Sequence, residues 1–147
     1  MRNITTFFLV LFFLFACSEN DPPEEIPGFD VPELYGHWGL KTVFSSDGGT
    51  TTTRQATYSK MVTFQSNKTF SYRTKIDGVY EQLGGTFKFD KELYIVILFD
   101  DKEKASHIPW AGSHKFKIDE NSDLVFYGHC VEDCGEIFYK TWCGTMD

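Results

Sequence analysis

GGTFKFDKELYIVILF, residues 84–99, decides the fold class. Phe87 and Phe89 alternate with Lys88 and Asp90, and the run after the Asp90-Lys91 turn is dense in Tyr, Ile, Val and Phe. A spacing of two puts one set of side chains on one face of an extended chain. β-branched and aromatic residues suit a pleated, half-buried surface. The stretch therefore reads as two strands of a hairpin, 84–90 and 92–99.

The same reading extends in both directions. Residues 34–147 carry no helical periodicity, and alternating runs recur at 36–45, 56–65, 68–75, 113–119, 123–130 and 135–142, with Gly, Asn and Asp at the breaks. Eight consecutive strands without crossover helices predict an all-β fold, an eight-stranded antiparallel up-and-down barrel whose closure removes exposed edges. An open sandwich of the same strands is the competing arrangement. The connections read as alternating in length. SSDGGTTTTRQ, IDGVYEQLG and DDKEKASHIPWAG read as long loops, whereas Ser66-Asn67, Asp90-Lys91 and DENS read as tight turns. One end of the barrel should then be crowded with loops, the usual place for binding on a rigid scaffold.

Ahead of the barrel, Arg2 is the only charge before an apolar run from Ile4 to Ala16. That run is shorter than the ~20 residues a spanning helix needs, and its composition reads as a secretory signal over residues 1–16. Residues 17–33 begin with Cys17 and carry six acidic residues, no basic residue and four of the five prolines. Such a stretch buries too little to fold and reads as a stiff tether. The whole chain is −7, the tether holds −6, and residues 34–147 carry thirteen Lys/Arg against fifteen Asp/Glu. A nearly neutral domain lacks the basic footprint of a nucleic-acid binder, so no nucleic-acid partner is expected.

Two resemblances sharpen this outline. Leu14-Phe15-Ala16-Cys17 resembles the lipobox of bacterial lipoproteins, which implies cleavage before Cys17 and acylation of its thiol. It also implies a cell-envelope location, with the outer membrane favoured by the acidic residues that follow. Two or more acyl chains anchor stably where one does not. Gly36-His37-Trp38, in LYGHWGLKTV on the first strand, resembles the G-x-W signature of lipocalins. The likeness is to the small bacterial lipocalin-like domains carried on lipoproteins. It implies that Gly36 and Trp38 close the tight-turn end of the barrel, and that the loop-rich mouth points away from the membrane.

HCVEDCGEIFYKTWC, residues 129–143, then has to be placed. If Cys130 faces Cys134 across the last hairpin, Cys143 lies opposite Asn121, nine residues and ~30 Å from Cys134. That is far beyond the ~7 Å Cα separation a disulfide tolerates. His129 and Cys130, adjacent on a strand, face apart. An exported location favours oxidation. A Cys130–Cys134 disulfide is the preferred reading, with reduced structural thiols or a metal site as alternatives, and Cys143 is left over.

Parity counted from Trp38 places Gly36, Leu40, Thr42, Phe44, Val62, Phe64, Phe70, Tyr72, Phe87, Phe89, Ile95, Ile97, Phe99, His114, Phe116, Phe126 and Tyr139 inward. A barrel of eight strands is either filled by side chains or holds one small ligand; both remain open here, as does whether Trp110 plugs the barrel or forms a contact surface. The ligand-binding candidates are Phe44, Tyr72, His107, Trp110 and His114. No G-x-S-x-G, H-E-x-x-H or phosphate-cradling loop is present, and Ser113-His114 face apart, so neither an enzyme nor a cofactor is expected. The expected function is capture of a small apolar or amphipathic ligand at the mouth of a membrane-anchored barrel. The alternative is a filled barrel that docks a protein or glycan.

Overall fold

The computed structural model describes residues 29–142, apart from residues 48, 92, 93, 129, 131 and 132 and the side chains at 91 and 107. The apolar leader, Cys17, the tether up to residue 28, His129 and Cys143 lie outside the described residues. Nine strands occur among the described residues: β1 (Gly36–Asp47), β2 (Thr50–Gln55), β3 (Ser59–Phe64), β4 (Thr69–Ile76), β5 (Val79–Lys91), β6 (Tyr94–Phe99), β7 (Gly112–Ile118), β8 (Leu124–Tyr127) and β9 (Cys134–Thr141). Strands β1 and β3–β9 form a closed eight-stranded antiparallel barrel, and β2 lies outside it against β1. This is the predicted all-β architecture, and it is compatible with a lipocalin-like fold.

Closure runs through β1. One edge pairs with β9 from His37 to Ser45; the other pairs with β3 at Gly36–Gly39 and with β2 at Thr42–Asp47. The Thr50–Gln55 run is therefore a strand and not part of a long loop. The predicted second long loop is also a hairpin: β4 and β5 meet at Asp77-Gly78, with φ of 50° and 81°. Asp-Gly accepts the positive φ values that a two-residue turn needs, so the strands extend to the turn itself. Among the described residues, 100–111 is the long connection that remains at the mouth.

The opposite end is closed as expected. A 3-10 turn at Pro32–Leu34 lies beneath the barrel with Leu34 fully buried, and Trp38 Nε1 donates to the Leu34 carbonyl at 2.7 Å. Lys140 Nζ donates to the Glu33 carbonyl at 2.9 Å and sits 5.2 Å from the centre of the Trp38 ring. The end of the predicted tether packs rather than floats. Phe29 meets Phe89 edge-on at 5.5 Å, and Asp30 bonds Lys68 at 2.5 Å. The polar tether character ends where Phe29 and Val31 supply apolar surface that the barrel covers.

Within the barrel, aromatic rings fill the space. Phe64–Phe87 and Phe70–Phe99 pack edge-to-face at 5.1 Å, and Phe89–Phe116 meet in a tilted pair at 6.0 Å. Each fully buried Phe contributes about 1.5–3 kcal/mol by leaving water. Three inward assignments fail. Phe138 is fully buried while Tyr139 is 47% exposed, because Leu124 opposes Phe138 and carries it inward. A β-bulge between Leu40 and Thr42 reverses the parity of the rest of β1, so Thr42 and Phe44 share the outer face with their partners Ile137 and Gly135.

Replacing Trp38 by Phe should leave the Leu34 carbonyl buried and unpaired, costing about 1–3 kcal/mol. Trp38→Ala should cost about 3–5 kcal/mol. Both are read by urea unfolding of the two variants beside the parent chain.

Candidate functional site

The mouth is built around two residues that parity alone would expose to apolar surroundings. Lys60 shares a face of β3 with Val62 and Phe64, and Glu136 shares a face of β9 with Phe138. Both point inward, and they meet: Lys60 Nζ lies 2.5 Å from Glu136 Oε1, with side chains 4% and 14% exposed. The rings of Tyr58, Tyr72 and Trp110 surround the ammonium at 5.4, 5.6 and 5.3 Å. Tyr58 OH donates to the same Oε1 at 2.9 Å, and Trp110 Nε1 donates to Oε2 at 2.8 Å. A buried charge is tolerable only when paired and hydrogen-bonded, and both carboxylate oxygens are occupied here.

Burial pushes the Lys60 ammonium below its ordinary range, against the pull of Glu136. Burial, reinforced by the Glu136 charge, pushes the Tyr58 phenol up to about 12. The Tyr72 phenol is also pushed up, chiefly by burial. In each case the low-dielectric surroundings disfavour the ionised form.

Trp110 is the plug of the barrel. It is 4% exposed, stacks on Phe126 at 4.5 Å with the planes 4° apart, and meets Phe138 and Tyr72 edge-on at 5.3 and 5.7 Å. Its loop is pinned by Ala105 and Ile108, both buried. The interior is thus filled, and the remaining space is a cleft of about 360 Å³ above the plug. Val43 pairs with Glu136 on one side and Arg54 on the other, so these three share the inner face of the sheet. The cleft lies between this β1–β2 arm and Trp110, Phe126 and His114, with Pro109 and Cys134 at its rim. Arg54 is exposed.

The predicted site residues distribute as follows. Trp110 and His114 line the cleft; His114 is 3% exposed, with Nδ1 3.5 Å from the Tyr127 carbonyl oxygen. Phe44 reaches the cleft from the outer face, its ring 5.9 Å from Tyr127 and folded over Gly135. A Cβ at Gly135 would lie 2.0 Å from the Phe126 carbonyl oxygen, so the residue there has to be glycine. Tyr72 lies beneath the plug and does not line the cleft. The side chain of His107 lies outside the described residues. Gly36 and Trp38 sit at the closed end. Cys130 and Cys134 form a disulfide with Cα atoms 6.1 Å apart. The hairpin register differs from the expected one, because Tyr127 opposes Gly135 and the Gly128 amide donates to the Cys134 carbonyl at 2.8 Å. Cys134 therefore lies across from Gly128, and the disulfide closes the loop beyond the ladder.

Lys60, Glu136, Tyr58 and Arg54 were not singled out from sequence. Lys60 was within reach, since it stands two residues before Val62 on an inward row. Glu136 was not, because its face depends on the hairpin register. No family model, curated protein or solved structure matches this chain.

Lys60→Met or Glu136→Gln should each cost about 3–5 kcal/mol, by leaving one buried charge without its counter-charge. The double variant should cost clearly less than the two together, as a thermal-denaturation double-mutant cycle would record. Tyr58 adds a pH dependence. Its folded value of about 12 lies above its ordinary value of 10.0, so its contribution to stability is complete below pH 10 and is lost as pH rises toward 12. Spectroscopic tyrosinate titration should show Tyr58 and Tyr72 as late phenols, both moving down in Glu136→Gln but not fully, since burial remains.

Proposed function

We propose that this chain is a lipid-anchored protein of the cell envelope, processed at Cys17, whose barrel captures a small apolar or amphipathic molecule at its mouth. The observation that carries the binding reading is the cleft of about 360 Å³ between the β1–β2 arm and Trp110. Its size falls at the lower end of small-molecule sites, ~300–1,000 Å³. Its floor is aromatic, and Glu136, its one carboxylate, is already bound by Lys60, Tyr58 and Trp110. An apolar body therefore rests on Trp110 and Phe126, and a polar end lies toward Arg54 at the lip.

The anchor reading is supported by the lipobox-like Leu14-Phe15-Ala16-Cys17 and the acidic tether. It gains from the placement of residues 29–35 at the end opposite the cleft, since a tether leaving there turns the mouth away from the lipid. The outer membrane is the proposed location. Binding rather than catalysis is proposed because Lys60 is covered by rings and held by Glu136 rather than presented to the cleft. A second reading, a docking module for a surface protein or glycan, draws on the plug itself: Trp110 fills the interior and leaves only a shallow recess.

Mass spectrometry of the purified full chain tests both parts. Acyl chains should add mass at Cys17 and be absent from Cys17→Ser. A small molecule should be recovered in near-equal amount with the parent chain, and be lost from Val43→Arg, which fills the cleft. A Val43→Arg protein that folds and still carries the molecule would place binding elsewhere; a parent chain recovered empty would favour the docking module.

A further inference from the structure

Among the described residues, closing the barrel gives every strand at least two neighbours except one. β2 pairs with β1 only, and its far side has no strand beside it among the described residues. A cleft of about 480 Å³, lined by Gln55, Tyr58, Lys75 and Gly78, separates the base of β2 from the β4–β5 turn. All six residues of β2 are exposed. An exposed strand edge offers a row of amide N–H and C=O groups to another strand, and proteins usually blunt such edges with Pro, Lys, a bulge or a cover. Thr50–Gln55 has neither Pro nor Lys, its ladder with β1 runs without a register shift, and Arg54 is its only charge.

We propose that the outer edge of β2 pairs antiparallel with β2 of a second copy of this chain, joining two barrels through a continuous sheet. The composition of TTTTRQ selects this occupant. Facing residues share a sheet face, so the two-fold axis passes through a residue position; with the axis at Thr52, each Thr52 faces Thr52 of the other copy, each Thr51 faces Thr53, and each Thr50 faces Arg54. No like charges meet, and opposed threonines are favourable cross-strand pairs. The contact is isologous, so one pairing closes both open edges and stops growth at two copies. A foreign extended peptide gains less. Both faces of β2 are Thr, Arg or Gln, and the clefts described beside it reach the strand only at Arg54 and Gln55, so they form no row of pockets for alternate side chains, which is where specificity in strand addition arises. Six residues bury less than the ~1,200 Å² of a stable interface, so the dimer is concentration-dependent.

The register makes the test specific. Sedimentation equilibrium of the full chain in density-matched detergent should show a monomer–dimer equilibrium. Thr51→Lys/Thr53→Lys sets lysine against lysine at two positions of the junction and should weaken the dimer about tenfold. Thr51→Lys/Thr53→Glu sets lysine against glutamate in the same register and should restore dimerisation. Both variants keep every hydrogen bond between β1 and β2, and matching thermal melts verify that the barrel is intact. A parent chain that stays monomeric at all concentrations, a dimer indifferent to both variants, or a foreign peptide recovered on the edge would each overturn the proposal.

Discussion

Strand β1 holds this structure closed. Its twelve residues are long enough to bond β9 along one edge while dividing the other edge between β3 and β2. A shorter first strand would close the barrel but leave no arm, and the cleft would lose the wall that Val43 and Arg54 provide. The bulge between Leu40 and Thr42 sits where the division occurs. Bulges bend a strand and increase its twist. Here the bend falls where β1 leaves β3 and takes up β2, and the parity reversal it causes brings Val43 to the inner face.

The two ends of the barrel meet opposite electrostatic demands. At the closed end, the cations that cover aromatic rings stay near solvent: Lys140 lies over Trp38 and Lys68 over Phe89, with backbone or carboxylate oxygens completing their contacts. At the mouth, Lys60 is taken inside, and the cost of removing it from water is offset by Glu136 and three aromatic faces. A buried pair of this kind is weak evidence for stability in itself. Its structural consequence is positional: the Glu136 carboxylate is held by Lys60 and in turn holds the indole of Trp110, so the plug is set by hydrogen bonding as well as by stacking.

Much of the barrel could be read along the chain because a strand with one buried face writes a period of two into its sequence. Phe87 and Phe89, Ile95 and Ile97, and Phe70 and Tyr72 are all buried as that period requires. The closed-end placement of Gly36 and Trp38 came instead from the resemblance of Gly36-His37-Trp38 to the G-x-W signature, not from the period. Where reading failed, the cause was local turn chemistry or register. Asp77-Gly78 was taken as loop composition, although it is the sharpest two-residue hairpin signal in the chain. Thr50–Gln55 carries no apolar residue, so a search for alternating burial passes over a strand that has no buried face at all.

The candidate site shows the same division. Sequence alone determined the all-β class, the barrel, the inward aromatic rows and the involvement of Trp110 at the mouth, because each follows from the periodicity or composition of one segment. Tertiary structure alone decided that Trp110 is a plug, that Lys60 meets Glu136, that Phe44 turns outward, and that β2 leaves an open edge. Lys60 and Glu136 are 76 residues apart, and their contact depends on closure, on the register of the last hairpin and on a single extra residue in β1. One position of slip in any of these exchanges inside for outside, and no local pattern records such a slip.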